Sequence, residues 1–216
     1  MTIDEIIHLL GQEYGIPQWK RRSDPLSELV MAVLSQNTSD VNSHRAFSSL
    51  ISAFGSWDRV AGAQSDEIAA AISCGGLSRI KAPRIKAILE GILDGSGSPD
   101  LGFLSTLPLH KARAWLQALP GVGPKTASCV LLFSMGRPAL PVDTHVYRVS
   151  RRLGLIGRGV SPARAHELLE GLVPAEAIYQ FHLNMLAHGR RVCQAQRPRC
   201  HECVLRGGCS HGKGAI

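Results

Sequence analysis

Every long apolar stripe in this 216-residue chain repeats every three or four residues. No stretch alternates with the period of two that a half-buried strand requires, so the chain is expected to be all-α. "IDEIIHLL" puts Ile3, Ile6, Ile7 and Leu10 on one stripe. "SDPLSELVMAVLSQ" offers Asp24 as a cap and Pro25 for the first helical position, followed by Leu26, Leu29, Val30 and Val33. "DVNSHRAFSSLISAF" places Val41, Phe47, Leu50, Ile51 and Phe54 on an apolar face, and Ser56 and Ser65 are positioned to cap two shorter helices. Pro83 inside "SRIKAPRIKAILEGIL" predicts a kink or a break between two short helices. Further helices are expected over 109–118, 124–135, 143–153, 161–172 and 175–191, about ten in all.

The helices fall in a chain that is 44% hydrophobic but only 5% aromatic, so its core is built mainly of Leu, Ile, Val and Ala. No apolar run approaches the ~20 residues that span a bilayer. "MTIDEIIHLL" carries acids where a signal peptide has basic residues, so the expectation is a soluble, cytoplasmic chain with no membrane partner. Charge is uneven. Residues 1–110 hold nine Lys/Arg against twelve Asp/Glu, whereas 111–216 hold fifteen against five. A basic half of this kind points to a polyanionic partner.

In the basic half, "HKARAWLQAL" and "PKTASCVLLF" are helical and "LPGVG" between them is a tight turn. Glycines there admit positive φ and close backbone approach, and the second helix begins with unpaired N–H groups that favour an anion. A turn of this kind holds a phosphate without reading a base; by itself it is equally an ordinary helix corner. Lys125 lies in the first turn of the second helix, where the dipole disfavours a cation. If partly buried, it holds more of the neutral amine that attacks carbon. Eighteen residues on, "PVDTH" supplies Asp143, placed both as an N-cap and as a catalytic carboxylate.

Four of the six cysteines close the chain as Cys193-x6-Cys200-x2-Cys203-x5-Cys209. Clustered cysteines without an export signal read as metal ligands. Only one C-x2-C knuckle is present, where a zinc ribbon has two, and the repeated C-x2-C of a ferredoxin is absent. From spacing alone, zinc and an iron–sulfur cluster are equally compatible. Cys74 and Cys129 read as ordinary small hydrophobes.

"LPGVGPKTA", "VDTH" and the four-cysteine tail, in that order, resemble the endonuclease III branch of the helix–hairpin–helix DNA glycosylases. The likeness continues through "DPLSELVMAVLSQNTSD" and "GGLSRIKA" and so covers nearly the whole chain. It implies two helical domains with a cleft between them: a helical-barrel domain over 23–134, and a cluster domain combining 1–22 with 135–216. It implies a 4Fe–4S cluster on Cys193, Cys200, Cys203 and Cys209, with Lys125 as nucleophile and Asp143 as the essential carboxylate. The implied activity is base excision from duplex DNA carrying damaged bases or abasic sites, most readily oxidised pyrimidines, with β-elimination at the abasic site, by a monomer. The DNA contacts implied are the hairpin (Leu119, Gly121, Val122, Gly123 and Thr126), Arg148, and Arg197 and Arg199 of the inter-cysteine loop. Gln36 or Asn37 fills the gap left by the flipped base, and Leu77 lines or wedges the duplex. His145 reads as an orienting or core histidine and not as a catalytic base. Two rivals stay open: a monofunctional glycosylase acting on mismatched uracil, thymine or adenine, and a non-catalytic DNA-binding module built around zinc.

Overall fold

Most helices begin where a side chain or a proline settles their first unpaired N–H groups. The computed structural model describes residues 1–211, and these form eleven α-helices and no strand. α1 (Ile3–Tyr14) opens with a Thr2–Glu5 capping box. α2 (Pro25–Leu34) starts as the sequence predicts, with Asp24 Oδ1 accepting from Ser27 N at 2.9 Å and Pro25 in the first position. α3 (Asp40–Phe54) and α4 (Trp57–Gly62) are capped by Ser39 and Ser56. α5 (Ser65–Ala71) has Gln64, not Ser65, at its N-cap position, where Gln64 N donates to Glu67 Oε2 at 2.7 Å.

α6 (Ser78–Ser96) runs through Pro83 without the expected break. The proline is exposed, and so is Arg79, whose carbonyl the missing N–H leaves open. α7 (Leu109–Ala118) and α8 (Pro124–Cys129) flank the hairpin. α8 then widens into a π-helical turn at Val130–Ser134, stabilised by Ser134 Oγ donating to Val130 O at 2.5 Å. α9 (Thr144–Leu153), α10 (Pro162–Leu172) and α11 (Ile178–Arg191) complete the set.

The chain divides into two compact units. One spans Arg21–Arg137 and holds α2 to α8 around Leu29, Val33, Leu50, Ile68, Ile85 and Leu89, all fully buried. The other joins Met1–Lys20 to the segment from Pro138 onward and packs α1 and α9 against α11, with Ile6, Leu10, Phe181 and Met185 inside. One expected core residue fails: Val41 is 69% exposed, because α3 buries Ser43, Ala46 and Leu50 instead. Cys74, read as a small hydrophobe, is also exposed. Among the described residues no helix is long and apolar enough to cross a membrane.

Candidate nucleic-acid interface and active-site residues

The hairpin is held from below by its apolar side chains and shows its backbone above. Leu119 and Val122 are buried, and Val122 N donates to Leu119 O at 3.2 Å to close the turn. Gly121 and Gly123 are exposed, and Gly121 has φ +75°, the left-handed region that glycine occupies without strain. No side chain caps α8. Of the residues assigned to this grip, Leu119, Val122 and Thr126 are thus buried supports, and only backbone groups face outward.

Lys125 follows at the second position of α8 and is exposed, so the partial burial that would favour its neutral amine is not found. Sequence reading missed a group electrostatically coupled to it. Glu28, on α2 and only 3% exposed, accepts from Arg22 Nη1 and from Ser23 Oγ, both at 3.2 Å. Burial pushes the Glu28 carboxyl above its ordinary range, while Arg22, Ser23 and Lys125 act to lower it. Arg22 in turn stacks 3.7 Å over the Phe133 ring in the π-helical turn. A lone carboxylate on the buried face of an apolar helix was the available signal.

Two other exposed tips lie in the same unit. Asn37, in the turn between α2 and α3, has φ +51°, and Leu77, ahead of α6, has φ +54° and is 48% exposed. For a bulky residue that conformation costs roughly 1–2 kcal/mol and survives only where the surroundings enforce it. Gln36 is half-buried, with its side-chain oxygen held by Arg84 Nη1 at 2.6 Å. The two candidates for filling a gap therefore differ: Gln36 is engaged and Asn37 is free to point outward.

In the other unit Asp143 is the N-cap of α9, its Oδ1 accepting from Val146 N at 2.7 Å. Arg148, expected on phosphate, is instead turned inward. Its guanidinium donates to Cys193 O at 3.0 Å and Gly189 O at 2.8 Å and meets His145 Nδ1 at 3.1 Å. Arg152 likewise holds the inter-cysteine loop through Gln194 O at 2.6 Å and Ala195 O at 3.0 Å. Arg197, at φ +49°, is exposed at the tip of that loop, and Arg199 is exposed beside Glu202 at 3.4 Å.

The four C-terminal cysteines line one small cavity of about 20 Å³ together with Val192, Pro198, Arg206 and His211. Arg152 Nη1 donates to Cys193 Sγ at 3.3 Å, and Cys203 Sγ lies 3.5 Å from His188 Nε2. Burial raises the Cys203 thiol, and the other three cysteines push it further in the same direction. All four cysteines share that one lining; among the described residues no three His, Cys, Asp or Glu groups converge as a site for a single ion.

A glycine turn leading into a lysine-bearing helix, within an all-helical chain, defines a helix–hairpin–helix protein. A family model described as HhH-GPD superfamily base excision DNA repair protein matches residues 30–175, and the chain belongs to that family. It is 34% identical over 206 residues to an endonuclease III of Thermotoga maritima, covering 93% of this chain and 91% of the relative. A relative from Arabidopsis thaliana, 38% identical over 165 residues and matched along 76% of this chain, is longer: the match spans 56% of its length. Among solved structures, a trapped covalent intermediate of an endonuclease III with DNA superposes with a TM-score of 0.83 at 29% identity, covering 100% of this chain and 99% of that one.

Proposed function

We propose that this chain is a bifunctional DNA glycosylase and abasic-site lyase that removes oxidised pyrimidines from duplex DNA, with Lys125 as its nucleophile. The observation that carries the proposal is an exposed lysine one residue into the helix that follows the glycine hairpin, in a chain similar to an endonuclease III along nearly its whole length. A stacked base is out of reach, so the damaged nucleotide must be extruded. The exposed backbone of Gly121 and Gly123 grips phosphate, Leu77 wedges the duplex, and Asn37 enters the gap. Lys125 Nζ then attacks the sugar C1′, the bond from C1′ to the base breaks, and the base departs with its electron pair and takes up a proton. Loss of the sugar ring oxygen's bond to C1′ leaves an imine. The imine acidifies the C2′ proton, whose removal expels the 3′ phosphate and cuts the strand; hydrolysis frees the lysine. Asp143 is the carboxylate that stabilises positive charge developing on the sugar, a role compatible with its N-cap bond, which uses only one of its two oxygens.

A 4Fe–4S cluster on Cys193, Cys200, Cys203 and Cys209 is supported by the four cysteines lining a single cavity and by Arg152 donating toward one of their sulfurs. When bound, the cluster supplies cross-linking that folds the loop carrying Arg197 and Arg199, the two residues assigned to phosphate. The protein acts alone, on DNA, in the cytoplasm.

The test is a panel of duplexes bearing an oxidised pyrimidine, a mismatched uracil, thymine or adenine, or an intact abasic site. Base release from the oxidised pyrimidine coupled to β-elimination supports the proposal. Release without cleavage supports the monofunctional rival, and binding without release supports the zinc-containing binding module.

A further inference from the structure

Leu77, Lys81 and Arg84 stand at i, i+4 and i+7 and so share one face of α6 and its cap. Each reaches a different exposed tip. Leu77 is itself one tip, and its carbonyl accepts from Lys81 N at 2.9 Å. Lys81 is 2% exposed, a rare position for a lysine, and its ammonium donates to Leu34 O at 2.6 Å and to Thr38 Oγ1 at 2.5 Å. Those acceptors bracket the turn that carries Asn37. Thr38 Oγ1 is also 3.1 Å from Gly75 O, in the loop that leads to Leu77. That loop fits because Gly75 has no side chain; a Cβ there would stand 2.6 Å from Ala46 Cβ on α3. Arg84 donates to Gln36 Oε1 at 2.6 Å, and its aliphatic stem lies under Gly121, where a Cβ would meet Arg84 Cδ at 2.7 Å.

Two of the three non-glycine residues with positive φ among those described, Asn37 and Leu77, are thereby tied to one another through a single hydroxyl and a single buried ammonium. An unpaired buried ammonium is costly, so the lysine is secure only while the Asn37 turn keeps this shape. Strained conformers persist where several contacts agree on them, and here those contacts converge from one helix face.

We propose that Lys81 and Arg84 are positioning residues that preset the gap-entering turn, the wedge and the phosphate-gripping hairpin as one rigid probe before DNA arrives, and that the Thr38 hydroxyl couples the first two. This rests on the DNA roles assigned above to Asn37, Leu77 and the hairpin. The consequence is kinetic: weakening the coupling slows extrusion of the damaged nucleotide more than it weakens binding to a duplex, because the phosphate grip itself is untouched at Thr38.

The full-length protein is compared with Thr38→Val, Thr38→Ser, Lys81→Met and Leu77→Ala. Single-turnover base release from an oxidised-pyrimidine duplex is measured beside the Kd for a duplex with a tetrahydrofuran abasic analogue, and extrusion is followed by fluorescence of 2-aminopurine next to the lesion. Thr38→Val is expected to slow base release and the fluorescence rise together by about tenfold with Kd within about threefold, and Thr38→Ser to restore both. Lys81→Met is expected to do the same or more; should it fail to fold, the two Thr38 variants decide. Base release by Thr38→Val within twofold of wild type, while Leu77→Ala is slowed, overturns the coupling and leaves the DNA-contact reading standing. Rates unchanged in Leu77→Ala as well overturn that reading and the coupling with it. A parallel loss of binding, base release and thermal stability in Thr38→Val, with no selective effect on extrusion, also overturns it.

Discussion

Replacing Gly121 with alanine isolates how tightly the hairpin is built. The backbone there has φ +75°, where an L-residue costs roughly 1–2 kcal/mol. The new methyl would stand 2.7 Å from both Cδ and Nε of Arg84, a separation that forces one partner to move. The flexible arginine is the one that yields, and it yields by giving up its 2.6 Å bond to Gln36 Oε1. A hydrogen bond from a charged donor is worth about 1.5–3 kcal/mol, so the total cost is about 2.5–5 kcal/mol. In a chain of this size that lowers Tm by roughly 10 °C. In an Arg84→Ala background the contact is already gone, and Gly121→Ala is then expected to cost only the backbone strain of roughly 1–2 kcal/mol. The assay is urea and thermal unfolding of the four proteins of this double-mutant cycle, with affinity for an abasic-analogue duplex measured in parallel. A loss below about 0.5 kcal/mol, or equal losses in both backgrounds, would refute the close approach of Arg84 to the turn.

Other expectations concern the remaining parts of the site. The Glu28 carboxyl is raised above 4.5 mainly by burial, so the native state binds its proton more tightly than the unfolded chain does. Its contribution is therefore present below pH 4.5 and lost as pH rises through the raised native value. The unfolding free energy of wild type minus that of Glu28→Gln is expected to fall with pH across that window, and a flat or rising difference contradicts the assignment. Arg197→Ala is expected to reduce the slope of log affinity against log salt by about one unit, as loss of a phosphate contact should. Arg148→Ala is expected to leave that slope unchanged and instead destabilise the fold by about 1–3 kcal/mol, because it strands the carbonyl of Gly189 and leaves that of Cys193 with only the longer bond from Arg152 at 3.4 Å. Purified protein is expected to contain about four irons per chain, and Cys203→Ser to lose iron and weaken binding to duplex DNA; zinc in place of iron contradicts the cluster.

What the sequence made legible was local. The caps at Asp24, Ser56 and Asp143 follow from side chains that reach their own helix within three residues, and the hairpin follows from glycine and proline in a five-residue turn. Helix faces were legible only where apolar residues outnumber small ones. α3 packs closely through Ser43 and Ala46, so its largest hydrophobic residues misled and Val41 was placed inside. Pro83 was read by its local cost alone, and the helix carries that cost at an exposed position of α6. The roles of Lys81, Arg84 and Arg148 were not legible, because their acceptors lie 41 to 48 residues away along the chain. Arg148 shows the consequence most plainly: a basic residue on a basic helix reads as a phosphate contact until its guanidinium is seen bound to backbone carbonyls of its own unit.

The central assignment is that Lys125 forms the covalent bond to the sugar. Borohydride added during turnover reduces an imine to a stable amine, so wild type incubated with lesion duplex is expected to migrate as a covalent protein–DNA adduct, and peptide mapping is expected to place the DNA on Lys125. Lys125→Gln is expected to bind the same duplex and give no adduct. An adduct formed by Lys125→Gln at the wild-type level, or wild-type mapping to another residue, would contradict it.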